Sequence, residues 1–551
     1  MARKLLQNLR DSLDRLNCLK VVVAFFLVAF GQPAWSDLLS MVSAAIGYAL
    51  FWSAILPLQR RFWVTFGWFA AVQAVQIGWI SATEYMGLGI LFVYAFLILS
   101  IGLQFAWMTS FIRLPLSWMQ TLGVAGFWVL MEWMRLIPLT GFPWNPAGFA
   151  LAGNSYSIQF AALLGVYGLS FWVIWVNLLG LKALLEPTNK KRWAAWASFA
   201  LFPYAFGFVH QTVWQSRLDS KNTSSVALVQ TGLKPEEKEY SRSEPSAYIA
   251  PIAQWGMILD DLDKTGERSF DLIVLPEGVV PFNAARAYYS LEAVETIWKH
   301  RYGESGLNDF PPLEEPFAKE VAPGIWRVTN AFWAQSLSNR YQAELIAGFS
   351  CSEQSGVYNS AFYFSPGQTT ISRYDKQILV PVGEYIPLGN FSIVKQFVTS
   401  QYEMGEPFKP GNEVKIFSGK RPIGVSICSE ETYSHLVREI RRAGAEMFVN
   451  ITNDVWFPET RLPWHHFTHG KIRAAENGVS LLRSCNMGVT GAVDCFGRNI
   501  QLFSEQASGA LPIHLPSGSI PTLYTMWGDW AIFLSSGLFV LVLLIRKKKL
   551  P

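Results

Sequence analysis

Apolar residues fall into two regimes along this chain. Before residue 216 they run in long blocks, near 20–35, 36–57, 62–81, 87–110, 118–137, 159–185 and 193–212, and one more block covers about 526–545. From 216 to 525 the apolar runs are short and alternate with charged and polar stretches. A helix needs roughly 20 apolar residues to cross a bilayer, so the blocks predict seven spans ahead of a globular segment and an eighth behind it. Gly31-Gln32-Pro33 breaks the first block and Pro203 interrupts the seventh, so each of these predicts a short or kinked span.

Inside the globular segment, runs rich in Val, Ile and Phe predict strands at 225–230, 271–276, 344–349, 360–365, 421–427, 446–451 and 480–485. Helical stretches lie between them at 247–263, 327–339, 431–443 and 464–477. Strands alternating with helices predict an α/β or layered α+β domain. The stretch 282–322 is polar, rich in aromatics and Pro, fits neither period, and reads as an insertion or lid. The chain thus divides into a membrane domain at 1–215, an exported domain at 216–525 and a C-terminal transmembrane helix with a basic tail at 526–551.

Composition and charge add orientation. The 551 residues are 51% hydrophobic and 16% charged, where a soluble domain carries about 25% charged residues. Arg3, Lys4, Arg10, Arg15 and Lys20 precede the first span, Arg60-Arg61 follow the second, and Arg113 follows the fourth. Lys182 and Lys190-Lys191-Arg192 follow the sixth, and Arg546-Lys547-Lys548-Lys549 follow the eighth. The intervening loops 33–37, 81–87 and 138–157 contain no Lys or Arg. Cytoplasmic loops are rich in Lys and Arg, so both termini are expected inside and 216–525 outside. A cleaved signal peptide would also begin with a basic stretch and a short apolar run. Removing the first span, however, leaves an odd number and puts Arg60-Arg61 on the wrong side.

Three residues that follow strand-like runs suggest chemistry: Glu277 in DLIVLPEG, Lys376 in ISRYDKQILVPVGEYIP and Cys428 in RPIGVSICSEETY. A thiol opening a helix faces free N–H groups and the positive end of the dipole, which favours thiolate; a lone cysteine is more commonly a buried structural one. Glu430 and Glu431 oppose thiolate formation unless one caps the helix. Glu277 suits a general base if burial raises its pKa, or is a surface acid at a turn. Lys376 suits an oxyanion stabiliser, or is a solvated charge. Cys485 and Cys495, within LLRSCNMGVTGAVDCFG, read as small hydrophobes on two buried strands rather than as a disulfide. His465, His466 and His469 have helical spacing, but no nearby Cys or acid completes a metal site. Asn453, Asp454 and Trp456 read as the rim of the thiol pocket. Glu132 and Arg135, inside an apolar block, read as a pair or as a contact for a lipid phosphate.

Taken together, LPE, YDKxxLVPxGEYIP, ICSE and FVNITNDVWFPET closely resemble the nitrilase superfamily and, within it, the membrane-embedded apolipoprotein N-acyltransferase family. EWMR at 132–135, TGFPWNPAGF at 140–149, GVYGLSFWV at 165–173, PWHHFTHGKIRAAENGVSLLRSCNMGVTG at 463–491 and LYTMWGDW at 523–530 extend the resemblance over nearly the whole chain. It implies an αββα sandwich on a multispan helical membrane base, with Glu277 as base, Lys376 as oxyanion stabiliser and Cys428 as nucleophile. It also implies Glu384 and Glu430 as supporting acids. Two positions depart from the family pattern: Ser429 stands where an aromatic residue usually follows the cysteine, and Tyr240 stands nearest to a usual tryptophan. Both are read as substrate-binding positions, with Asn453 and Trp456. The interval from Glu277 to Lys376 is longer than is typical of the family, again pointing to 282–322.

The implied reaction moves a fatty acyl chain from a membrane phospholipid, through a Cys428 thioester, to the α-amine of a diacylglyceryl-modified apolipoprotein. No cofactor, metal or nucleic acid is implied. The implied location is the bacterial inner membrane, with the catalytic domain on the periplasmic side. Two rivals stand beside this reading: a membrane-tethered nitrilase-like amidase, and a non-catalytic multispan scaffold or transporter with an exported binding domain.

Overall fold

Each long apolar block folds as helix in the computed structural model, which describes residues 2–218, 223–240, 245–392, 395–396 and 406–547. The helices are Ala2–Ala29, Asp37–Ile55, Arg61–Gln76, Ile90–Ser110, Trp118–Met134, Ala161–Leu185, Lys190–Gln215 and Trp530–Lys547. Three of these segments, Asp37–Ile55, Ile90–Ser110 and Ser157–Leu185, are long and apolar enough to cross a membrane by length and composition. The first block breaks as its Gly-Gln-Pro predicts, with the helix ending at Ala29. The seventh forms one helix, Lys190–Gln215, with Pro203 inside it. Of the basic tail, Lys548 and Lys549 lie outside the described residues.

By contacts the chain forms two compact units, one made of 1–216, 459–477 and 521–551, the other of 217–458 and 478–520. In the first, one turn of π-helix at Ser43–Gly47 frees backbone groups that have no water to turn to. Buried Asn177 meets them, donating to the Ser43 and Ala44 carbonyls (3.2 and 2.8 Å) and accepting from the Tyr48 and Ala49 amides (2.9 and 3.2 Å). Buried Glu132 accepts from the Trp128 indole at 2.6 Å and the Ala147 amide at 2.7 Å. Arg135 lies 3.9 Å from that carboxylate and donates to Gln104 at 3.0 Å.

The second unit carries fifteen strands among the described residues. They are β1 (Thr223–Gln230), β2 (Leu272–Val274), β3 (Tyr289–Ser290), β4 (Ala318–Ala322), β5 (Ile325–Val328), β6 (Glu344–Glu353), β7 (Gly356–Phe364) and β8 (Ser372–Asp375). They continue with β9 (Ile416–Ser418), β10 (Pro422–Ile427), β11 (Met447–Thr452), β12 (Leu481–Cys485), β13 (Gly491–Val493), β14 (Asn499–Leu502) and β15 (Gly509–Pro516). One six-stranded sheet runs β15-β1-β2-β6-β7-β8 and the other β14-β13-β12-β11-β10-β9. In both, three parallel strands, β1-β2-β6 and β10-β11-β12, form the middle.

Strand period fixes the layers, because successive side chains point to opposite faces. Val226, Leu228, Leu272 and Val274 meet Ile423, Val425, Ile427, Val449 and Ile451 in the core between the sheets. The alternate residues Ala227, Val229, Ile273 and Leu275 face outward into a second core, which includes Trp255 of helix Pro251–Asp263 and Trp333 of helix Asn330–Tyr341. Gly424, out of phase with Ile423 and Val425, leaves room for Ile440 of helix Ser434–Arg442, whose Cγ2 lies 2.1 Å from where a Cβ would stand. The layers therefore run helix, sheet, sheet, helix.

The seven strands expected from the sequence are present, and the stretch 282–322 is ordered rather than irregular. It contributes β3 and β4 to a small sheet, β3-β5-β4, and helix Leu291–Tyr302, with Val294, Trp298 and Phe317 buried in the outer core. Its period is illegible because its elements are short and one face of each is exposed.

Candidate functional site

Glu277, Lys376 and Cys428 each sit just past a strand, after β2, β8 and β10. Cys428 has φ +53°, a left-handed backbone that turns the chain sharply out of β10 into a 3₁₀ turn, Cys428–Thr432. Asn450 of β11 holds this corner, donating to the Cys428 carbonyl at 3.1 Å and to the Ser426 hydroxyl at 3.0 Å. At the end of β2 the backbone passes so close to β6 that a Cβ on Gly348 would stand 2.6 Å from the Glu277 Cα.

The side chains converge on one buried centre. Cys428 and Glu277 are close enough for each to act electrostatically on the other. The Lys376 ammonium, 1% exposed, lies 2.8 Å from Glu384 and 3.6 Å from Glu277. Asn359 of β7 donates one amide to both carboxylates, to Glu277 at 2.7 Å and Glu384 at 3.0 Å. Glu384 is fixed in turn by the Val380 amide at 2.8 Å.

Burial dominates the electrostatics. It raises the Glu277 pKa; Lys376 pulls that back and Glu384 pushes it further up. Burial also works against the Lys376 ammonium, but Glu384, Cys428 and Glu277 outweigh it and hold its pKa above the ordinary lysine value. The Cys428 thiol is pushed up, first by burial and then by Glu277, with Lys376 opposing. This reverses the sequence expectation of a dipole-stabilised thiolate: desolvation outweighs a single short turn.

The two acids beyond the cysteine are occupied elsewhere. Glu430 caps the turn, accepting from the Ile427 amide at 2.8 Å, from the Gln377 and Ile378 amides at 2.6 and 3.2 Å, and from Tyr374 at 3.0 Å. Burial lifts its pKa to about 7 against those donors. Glu431 and Asp454 both pair with buried Arg483 of β12, at 3.0 and 2.9 Å. Asp454 is therefore a buried structural acid and not a rim residue. Asn453 accepts from the Val455 amide at 3.3 Å, and Trp456 beside it is 43% exposed. Ser429 is buried, with its carbonyl accepting from Thr432 at 2.7 Å. Tyr240 is 65% exposed, edge-on to Tyr248.

Cys485 and Cys495 are buried free thiols; Cys485 ends β12, while Cys495 sits in the turn after β13 rather than on a strand. His465 and His469 both direct Nε2 at the Trp144 carbonyl, the latter at 3.3 Å. Among the described residues no group of three His, Cys, Asp or Glu side chains is placed to hold a metal. Sequence reasoning missed Asn359 and Arg483, since neither stands in a pattern of its own; each is identified by what it touches.

A carboxylate beside a thiol, with an ammonium alongside, can take a proton from sulfur and stabilise an oxyanion as sulfur attacks a carbonyl. The carbon-nitrogen hydrolase family model matches residues 225–500, and that of the apolipoprotein N-acyltransferase N-terminal domain matches 24–179. The chain is 31% identical to the apolipoprotein N-acyltransferase of Chlamydia pneumoniae, over 93% of this chain and 94% of that one. It is 27% identical to that of Geobacter metallireducens, over 77% and 74%. An amidase of the nitrilase superfamily from Nesterenkonia, of known structure, is 16% identical over 58% of this chain and 99% of that one, with a TM-score of 0.35.

Proposed function

Because the chain belongs to the apolipoprotein N-acyltransferase family, we propose that it N-acylates bacterial lipoproteins, taking the acyl chain from a membrane phospholipid through a Cys428 thioester. The observation that carries the mechanism is the Lys376 ammonium 3.6 Å from the buried Glu277 carboxylate, with Cys428 close enough for thiol and carboxylate to act on each other.

In the first half-reaction Glu277 takes the thiol proton and sulfur attacks the ester carbonyl of the phospholipid. Lys376 stabilises the oxyanion. Collapse breaks the ester C–O bond, the leaving glycerol oxygen takes the proton from Glu277, and lysophospholipid departs from a thioester. In the second, the α-amine of the diacylglyceryl-cysteine attacks that thioester, Glu277 receives the amine's proton, and the departing sulfur takes it back as thiol. One base thus serves both halves and the kinetics are ping-pong. Glu384 keeps Lys376 in place, and Glu430 holds the turn that presents Cys428. Exposed Tyr240 and Trp456 offer aromatic surface to acyl chains, with Ser429 and Asn453 beside the thiol turn.

The membrane domain is read as a multispan anchor of the bacterial inner membrane, with both termini cytoplasmic and the catalytic domain periplasmic. The distribution of Lys and Arg among the loops supports this orientation. Both substrates are lipid-anchored, so chemistry at the outer leaflet needs a site held there. The test is intact-protein mass after incubation with phospholipid micelles. An added acyl mass on wild type, absent from Cys428→Ala and discharged by a diacylglyceryl lipopeptide, is expected. Discharge by water alone would favour an amidase-like hydrolase, and no adduct on folded protein would overturn the reading.

A further inference from the structure

The candidate centre has more negative than positive charge. Glu277 and Glu384 share one ammonium, that of Lys376, at 3.6 and 2.8 Å. Two carboxylates cannot both be neutralised by one cation, and in a buried site the one left over tends to hold a proton. A proton on Glu277 would disable it as an acceptor for the thiol.

A second buried cation stands in the same unit. Lys238 ends the short helix Pro235–Lys238 after β1 and is 9% exposed. Among the described residues its ammonium makes one hydrogen bond, to the Asn486 side-chain oxygen at 3.2 Å, a neutral partner. An ammonium removed from water without a carboxylate at ion-pair distance is costly unless its field is used.

Asn486 supplies the link. Its side-chain amide donates to the Glu277 backbone carbonyl, and its oxygen also accepts from Thr231 at 2.8 Å. Its own backbone donates to Thr452 of β11 and accepts from Gly232. Gln254 pins Lys238 by donating to its carbonyl at 3.0 Å. The charged and titratable groups that act on Lys238 are Glu239, Glu277 and Cys485. Those that act on Glu277 include Lys376, Glu384 and Cys428. Asp454, which acts on both cysteines, is paired with Arg483.

We infer that Lys238 is a positioning residue for the base: through Asn486 it fixes the Glu277 backbone, and its charge is the second cation that keeps the Glu277 carboxylate ionised. The inference rests on the reading of Glu277 as base. Burial lowers the Lys238 pKa to about 8, so the ammonium persists through neutral pH.

The test uses full-length protein and a reaction that needs no lipid, alkylation of Cys428 by iodoacetamide, followed by intact mass across the acidic and neutral range. A Cys428→Ala control assigns the adduct. The wild-type rate is expected to fall along an acidic limb set by Glu277, and Glu277→Gln to abolish that limb. Removing a cation raises a carboxyl pKa, so Lys238→Met is expected to move the limb up by about one pH unit and slow alkylation about tenfold below it. Lys238→Gln keeps a donor for Asn486 and removes only the charge, so it should give the same shift even where the methionine variant fails to fold. Lys238→Arg should restore the wild-type limb. An unchanged limb in folded Lys238→Gln overturns the inference while leaving Glu277 as base. No effect of Glu277→Gln overturns the base reading and the inference with it. Phospholipid failing as acyl donor touches neither result.

Discussion

At Cys428 two local effects oppose each other. The turn that follows offers free N–H groups to a thiolate, while burial and the Glu277 carboxylate favour the thiol; the thiol form wins. On the proposed mechanism, reactivity then depends on Glu277 being ionised, and burial lifts its pKa above the ordinary carboxylate value. An acid that must be deprotonated to work loses activity as pH falls through its folded pKa. Acyl loading of Cys428 is therefore expected to fail on an acidic limb lying above the range of a free glutamate, measured by loading rate against pH. Glu277→Gln should slow loading by about 10²–10⁴-fold, the span of general base catalysis, and remove the limb; retention of wild-type loading would exclude it as base. Asn359→Leu removes the donor that both carboxylates share and should move the limb upward, since it leaves Glu277 with less to stabilise its charge. The three central residues were legible because each closes a strand-like run and stands in a motif. Asn359 was not: its partner Glu277 lies 82 positions away, and VYNSAF carries no local sign of it.

Among the elements, the inner strands of both sheets could be read directly, because strands buried on both faces become near-continuous Val, Ile and Leu. β15 was missed for an opposite reason. Leu511, Ile513 and Leu515 alternate inward with the strand period, but Pro512 and Pro516 disguise it. Proline is tolerated there because β15 is an edge strand, paired among the described residues with β1 alone. The element that shapes the thiol turn from behind is β12. Arg483 ties the 3₁₀ turn, through Glu431, to the loop after β11, through Asp454, and donates to the Val489 carbonyl at 2.7 Å. All three side chains are almost wholly buried. Removing the shared cation takes the positive charge from beside two buried carboxylates, so Arg483→Met is expected to destabilise the protein by about 3–5 kcal/mol. Thermal unfolding checks this. A melting temperature equal to wild type would mean that the acids find other partners or take up protons.

For the whole molecule, the order of elements along the chain misleads. Helix Leu462–Asn477 lies in sequence between β11 and β12, and strands alternating with helices place it in the α/β domain, its buried His465, Arg473 and Glu476 notwithstanding. It belongs instead to the unit of apolar helices, with all three side chains buried. Glu476 there accepts the Val166 amide at 2.6 Å, where Gly165, at φ +65°, interrupts helix Ala161–Leu185, and pairs with Arg473 at 2.8 Å. A polar residue facing protein cannot be told from one facing water by period alone. Orientation across the membrane is a separate matter, because it is written in the loops. Lys182 and Lys190-Lys191-Arg192 flank a loop expected inside, whereas 216–525 is expected outside. Thr188 and Glu267 are exposed positions on these two stretches. With Cys18, Cys351 and Cys428 replaced by serine, a membrane-impermeant maleimide added to cells with a permeabilised outer membrane should label Glu267→Cys at once. It should reach Thr188→Cys only after lysis. Labelling of Thr188→Cys in unlysed cells would reverse the orientation and place the site on the side of the membrane away from mature lipoprotein termini. The acyltransferase reading could not survive that result, however reactive Cys428 proved to be.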